Sequence, residues 1–112
     1  MNTFKTWLER FLVYTELEKN RSPKTLENYQ HYLNRFGDFF GAEKDLAKLS
    51  LQDIQQFRLK LNRATDERTH RSIGIKTQNY HLIALRSFLK YVSKNDVVTL
   101  APEKIELGKI PE

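Results

Sequence analysis

The sequence predicts an all-α domain of four helices, and three observations carry that prediction. Apolar residues recur at spacings of three and four along most of the chain, as they do on the buried face of a helix. Only four glycines and three prolines interrupt the 112 residues. Hydrophobic residues make up 39% and aromatic residues 12%, which is enough for one compact core but leaves no room for a second full domain.

The first two helices are marked at their starts. Helix one is expected over residues 3 to 19, with Thr3 as its N-cap. Helix two begins at Ser22-Pro23, where a hydroxyl cap precedes a proline at the first helical position, and Gly41 ends it. The expected buried stripes are Phe4, Trp7, Leu8, Phe11, Tyr14 and Leu17 in helix one, and Leu26, Tyr29, Leu33, Phe36 and Phe40 in helix two.

The last two helices are separated by a long polar loop. Ser50 can cap helix three, and Asp53 in its first turn favours the positive end of the helix dipole. Helix four is expected over residues 75 to 93, with Gly74 or Ser72 at its start. The intervening NRATDERTHRSIG has no periodicity and is long for a loop of a compact domain. The expected buried residues are Leu51, Ile54, Phe57 and Leu61, then Leu82, Leu85, Phe88, Leu89 and Val92.

The composition changes after Asp96. The segment TLAPEKIELGKIPE contains Pro102, Gly108 and Pro111 and has no helical period, which indicates an extended segment. We therefore expect a helical domain over residues 1–97 and an extended linker over residues 98–112, leading to a further domain.

The chain is basic, and its excess charge is concentrated. The formal net charge is +5, and residues 58 to 100 carry nine Lys or Arg against three Asp or Glu. A sequence pI of about 9.5 is typical of nucleic-acid-binding domains. A solvated surface would also account for charge of this size.

Composition and motifs exclude several kinds of chemistry. The chain has no cysteine, and its histidines, His31, His70 and His81, lie at no metal-ligand spacing. We expect His31 and His81 at the surface or boundary of their helices. No glycine-rich nucleotide loop or nucleophile motif is present, so neither a cofactor nor catalysis by this segment is expected. The absence of an apolar leader or membrane span favours a cytoplasmic protein without a membrane partner.

Polar and basic residues gather at the starts of helices two and four, beside the apolar stripes. A helix start offers free N–H groups and a positive dipole end, while lysine and threonine add donors for phosphate. Asparagine can reach base edges in a major groove. Two such starts in one domain predict a surface that binds DNA phosphates. The candidate residues are Ser22, Lys24, Thr25, Asn28, Arg71, Lys76, Thr77, Asn79 and Tyr80.

Four segments, in this order, resemble the N-terminal core-binding domain of tyrosine recombinases, the phage integrase family: SPKTLENYQHYLNRFGDFF, LSLQDIQQFRLKL, KTQNYHLIALRSFLKYV and APEKIELGKIP. The resemblance covers nearly the whole chain. It implies an orthogonal, SAM-like four-helix bundle that grips one face of a recombination half-site in double-stranded DNA. Ser22, Lys24, Thr25 and Asn28 match the contact region of the second helix, and Lys76, Thr77 and Asn79 match that of the fourth. Tyr80 stands where the family commonly has a basic residue.

The same resemblance implies that cleavage belongs elsewhere. The family's tyrosine nucleophile and its basic partners lie on a separate catalytic domain, and no H-x-x-R box is present in this sequence. The chain is then a DNA-binding fragment of a recombinase, with that catalytic domain as its partner and a tetramer on DNA as its expected assembly.

Two other classes of function remain open from the residues. A helical protein-interaction domain would dock a partner helix on exposed apolar residues of helix one, such as Leu12 and Val13. A self-standing helix-turn-helix regulator would need a turn of three or four residues between two helices, and the joins here are longer.

Overall fold

The computed structural model of the chain describes residues 1–64 and 71–109, which form four α-helices and two short 3₁₀ turns. The all-α, four-helix prediction is confirmed. Within these ranges no helix is long and apolar enough to cross a bilayer. The helices are α1 (Phe4–Leu17), α2 (Pro23–Phe40), α3 (Leu51–Arg63) and α4 (Ile75–Lys94), and the 3₁₀ turns are Leu46–Lys48 and Pro102–Lys104.

Local capping accounts for the helix starts. The hydroxyl oxygens of Thr3 and Ser22 each accept a hydrogen bond, at 3.2 Å, from the amide three residues on. Ser50 and Asp53 form a full capping box, because the Asp53 carboxylate also accepts from the Ser50 amide at 3.0 Å. Gly41 ends α2 with a φ of 114°, a conformation that favours glycine.

An aromatic core joins α1, α2 and α4. The Phe4 ring lies 5.6 Å from the Phe36 ring and 5.1 Å from the Phe88 ring, measured between centroids. Phe36 also meets Phe57 of α3 edge-on at 4.9 Å. Burial of rings of this size supplies a large share of a small domain's stability. All five residues predicted for the buried face of α4 are enclosed, at 1% exposure or less.

Two residues predicted for buried stripes are exposed. Leu17 is 72% exposed and Leu51 is 41% exposed. Each occupies an end of its helix, where the periodicity continues but no neighbouring helix covers the position. Thr15 is buried instead, since its hydroxyl donates to the Phe11 carbonyl oxygen at 2.8 Å and needs no solvent.

The segment after α4 packs against the bundle. Leu100 and Ile105 are buried, and the 3₁₀ turn Pro102–Lys104 contacts α4. Main-chain carbonyl groups of this segment accept hydrogen bonds from Arg58 of α3 and Arg86 of α4. Residues 98–109 are thus a docked strap around the end of the domain. Their role as a linker to a further domain stays a prediction.

Candidate nucleic-acid interface

The start of α2 places four of the predicted contact residues within two turns. The Ser22 hydroxyl caps the helix, and it lies 3.1 Å from the Thr25 hydroxyl. Lys24 Nζ lies 3.9 Å from a Glu27 carboxylate oxygen, with the two side chains 75% and 73% exposed. So exposed an ion pair is worth about 1 kcal/mol or less, and a phosphate can replace Glu27 beside Lys24. Asn28 is half-buried one turn further on.

The start of α4 is capped by a residue that has no side chain. Gly74 is the N-cap and supplies no side-chain hydrogen bond to the first-turn amides. Arg71 is exposed just before this start, while residues 65–70, which hold much of the predicted polar loop, lie outside the described residues. Three of the predicted contact residues are exposed in the first two turns: Lys76, Thr77 and Tyr80.

The sequence predicts that Asn79 faces outward, but in the structure it faces inward. It is 6% exposed, and its side-chain amide is paired with the backbone of Gly108 at 2.8 and 2.9 Å. The expectation that Asn79 is free to meet a base edge is wrong for this structure, because the strap occupies both its donor and its acceptor. The sequence predicts the strap as a segment separate from the helices. The local pattern of α4 therefore does not reveal Gly108 as the partner of Asn79.

The exposed face of α4 extends well beyond its start. Along this helix, spacings of four and three bring one residue per turn to a single stripe. The stripe is charged at both ends and uncharged in the middle, where Tyr80 is 45% exposed and Ile83 is 36% exposed. We call it the α4 stripe: Lys76, Tyr80, Ile83, Ser87, Lys90 and Lys94.

The start of α2 lies beside the far half of this stripe. Arg21 and Tyr29 share a cavity with Lys90. Further along α2, the centroid of the Tyr32 ring lies 4.4 Å from the centroid of the His81 ring, in the second turn of α4. The two helix starts are therefore at opposite ends of one surface, separated by roughly 20 Å at a rise of about 1.5 Å per residue.

This separation changes what the two starts can do together. They are too far apart to bind the same phosphate. A B-DNA major groove is about 12 Å wide, with a phosphate backbone on either side. Two cationic ends roughly 20 Å apart suit the backbones that flank such a groove, with the uncharged middle of the α4 stripe between them.

His81 is a buried link between α2 and α4 rather than a surface residue, so the expectation of a surface or boundary position is wrong for it. It is 1% exposed, its Nδ1 lies 2.8 Å from the Thr77 carbonyl oxygen, and its Nε2 lies 3.1 Å from Nη1 of Arg35. A guanidinium can only donate, so Nε2 accepts from Arg35. Nδ1 therefore carries the ring proton and donates a hydrogen bond to the Thr77 carbonyl oxygen.

Burial in this position disfavours the charged imidazolium. Desolvation is the main cause that lowers the pKa of His81 to about 4, and the neighbouring charge of Arg35 acts in the same direction. The ring is therefore neutral at physiological pH. The hydrogen bond from Arg35 fixes this part of α2 against α4 and positions the surface the two helices share. A lone histidine within a helix gave no sequence signal for this contact.

Within residues 1–64 and 71–109, no group of three or more His, Cys, Asp or Glu is placed to hold a metal ion. The chemistry that these residues do offer is cationic and hydrogen-bonding. They present lysines, hydroxyls and backbone amides, which are the groups that bind phosphate oxygens.

Comparison with known proteins gives the same family throughout. The family model described as "Phage integrase, N-terminal SAM-like domain" matches residues 8–95. The chain is 32% identical over 112 residues to the tyrosine recombinase XerC of Shigella flexneri serotype 5b, covering 99% of this chain and 36% of that protein. It is 34% identical over 103 residues to the XerC of Lacticaseibacillus casei, covering 88% and 32%. The chain thus spans about a third of the length of these curated relatives.

A solved structure has the same fold. It is the N-terminal domain of a phage integrase/site-specific recombinase from Haloarcula marismortui, similar with a TM-score of 0.76 at 16% sequence identity, over 96% of this chain and 97% of that one. The family match covers most of the chain, from within α1 to the end of α4, and the fold agrees. The chain therefore belongs to the family of phage integrase N-terminal SAM-like domains.

Proposed function

We propose that this chain is the DNA-binding module of a site-specific tyrosine recombinase and that it grips one face of a recombination half-site. The observation that carries the proposal is the shared surface of α2 and the α4 stripe. That surface has cations at both ends, and the one ion pair found there among the described residues joins the highly exposed side chains of Lys24 and Glu27. Membership of the family supports the same role.

The surface suits a major groove that α4 crosses from one backbone to the other. Ser22, Lys24 and Thr25 would meet the backbone on one side of the groove, and Lys76 and Thr77 the backbone on the other. Tyr80 and Ile83 would lie nearest the base edges, where apolar side chains can contact thymine methyl groups. Arg71 and Asn28 extend the contact at its margins, whereas Asn79 is committed to the strap.

Cleavage would belong to the catalytic domain of the parent protein rather than to this module. The greater length of the XerC relatives supports a parent of that kind. In this proposal the strap leads to the catalytic domain, the protein acts in the cytoplasm, and copies assemble as a tetramer on DNA.

An NMR titration of the isotope-labelled chain with a short random duplex tests DNA binding directly. We expect shifts at residues 21–28 and 71–87 at low salt, and we expect them to fade at moderate salt because binding releases counterions. Shifts spread evenly over the chain, or none at low salt, would contradict the proposal.

A second candidate function is a helical protein-interaction domain, and one observation favours it. Val13 and Leu17 on α1 are 54% and 72% exposed beside Tyr91 of α4, where they form an open apolar groove. Leu12, predicted to be exposed with Val13, packs partly against the core instead. Partner binding through this groove would persist at high salt, since it buries apolar surface, whereas DNA binding would not.

A further inference from the structure

A half-enclosed cavity of about 190 Å³ lies where the end of α1, the α1–α2 turn and the second half of α4 meet. Its floor is aromatic. Phe11 stacks on Tyr29 with ring centroids 6.0 Å apart, and Tyr91 packs on Tyr14 at 4.5 Å. Because these rings also pack on the core, the cavity is already formed in the free domain.

Four cations surround this floor: Lys19, Arg21, Lys90 and Lys94. They come from two separate parts of the chain, the turn before α2 and the last turns of α4. The cavity lining contains no Asp or Glu, and no carboxylate within the described residues lies within 4.0 Å of these four side chains. Four like charges around one cavity create a positive potential that favours an anion of matching size.

The hydrogen-bonding groups of the cavity suit a phosphate oxygen. Lysine and arginine carry only donors, and the Ser87 hydroxyl on the cavity wall can donate as well. Tyrosine adds apolar surface and a phenolic O–H, so the sugar next to a phosphate would also find contact. The Thr15 hydroxyl donates its proton to the Phe11 carbonyl oxygen, so that proton is not available to a phosphate.

The cavity is continuous with the α4 stripe, because Ser87, Lys90 and Lys94 belong to both. We infer that the cavity is a seat for a backbone phosphate of the bound duplex and that it extends the DNA contact past the start of α2. This inference rests on the proposed function. It adds Lys19, Lys90 and Lys94, which are not among the contact residues that the sequence predicted. It also assigns a backbone phosphate to Arg21 as its binding partner.

The test compares salt dependence in two double variants. Lys90→Ala/Lys94→Ala removes two cations of the cavity, and Lys5→Ala/Lys48→Ala removes two exposed lysines near the other end of α1. Binding of each to a random duplex is followed by fluorescence anisotropy over a range of salt, with equal melting temperatures as the check on folding. We expect the slope of log affinity against log salt to fall by about 0.9 for the first pair, since the cavity holds one phosphate and each phosphate contact contributes about 0.9, and to change much less for the second.

The possible outcomes separate the inference from the proposed function. If the unmodified chain binds no duplex at any salt, the proposed function fails and the inference with it. If the unmodified chain binds but the slope of log affinity against log salt falls by the same amount in both double variants, the cavity makes no direct contact with the duplex. Only this inference is then overturned. The same holds if inorganic phosphate shifts the NMR signals of Lys90 and Lys94 and the duplex does not.

Discussion

The side-chain amide of Asn79 is paired with the main-chain amide of Gly108 through two hydrogen bonds: Nδ2 donates to the carbonyl oxygen at 2.9 Å, and Oδ1 accepts from the N–H at 2.8 Å. An asparagine side chain has the same donor and acceptor as a peptide group, so it substitutes here for a second backbone segment. The pairing fixes the end of the strap to the second turn of α4.

We expect Asn79→Ala to lower the free energy of unfolding by about 1–3 kcal/mol, because it leaves the N–H and C=O of Gly108 without partners. Hydrogen exchange at the Gly108 amide should also become faster. Urea unfolding and exchange measured by NMR check both effects. The matched experiment uses chains that end at Leu107, where the partner is gone and Asn79→Ala should change little. An equal loss in the long and short chains would show that Asn79 acts within α4 instead.

Stability should depend on pH through His81. The pKa of His81 is about 4 in the folded chain and about 6.5 when unfolded. Between these values the unfolded state binds more protons, so stability is fully present above about pH 6.5 and is lost as the pH falls toward 4. The expected loss from this group is about 3 kcal/mol.

The His81→Gln variant isolates this contribution, since glutamine keeps an acceptor for Arg35 but does not titrate in this range. Urea unfolding at a series of pH values should give a shallower decline for the variant than for the unmodified chain. Parallel declines between pH 6.5 and 4 would mean that His81 titrates alike in both states.

Gly37 of α2 lies directly against the Phe4 ring of α1. A Cβ at this position would lie 2.8 Å from Phe4 Cε1, and the Phe4 ring is held between Phe36 and Phe88. We expect Gly37→Ala to destabilise the domain by about 1–3 kcal/mol through overpacking, although alanine is the better helix former by about 1 kcal/mol. Thermal unfolding checks the sign. In a Phe4→Leu background the cost should shrink, and an unchanged cost there would show that the contact is not its cause.

Lys24→Ala and Lys76→Ala should each weaken DNA binding by a similar factor on unrelated sequences, because phosphate contacts carry no base information. Each should also reduce the slope of log affinity against log salt by about 0.9. Anisotropy with two unrelated duplexes measures both quantities, and Lys5→Ala serves as the matched surface control. A loss restricted to one of the duplexes would place the lysine at a base edge.

The sequence predicted what depends on near neighbours in the chain. The caps at Ser22 and Ser50 each involve residues three apart, so the local pattern was sufficient. All four helices follow from the same kind of signal, and their ends were predicted to within two residues or better. The resemblance to the recombinase domain added the family, which the comparisons confirm.

Contacts between distant residues were not predictable in the same way. His81 meets Arg35 across 46 positions, and Asn79 meets Gly108 across 29. A buried polar residue has the same local pattern as an exposed one, and only the packing of other elements decides between them. The opposite placement of the two helix starts also depends on how α2 and α4 pack, so the sequence offered candidate lysines without their arrangement.

The polar contacts of the strap run through its main chain, because Arg58, Asn79 and Arg86 all bond to peptide groups rather than to side chains. Its composition can therefore change at exposed positions such as Glu103 without loss of docking. Its length is more constrained. Insertion or deletion of one residue before Gly108 would bring a side chain to a site where a Cβ would lie 2.7 Å from Ile75 Cδ1, so that the Ile75 side chain would have to shift. The spacing between Val97 and Gly108 thus sets which residue of the strap meets Asn79.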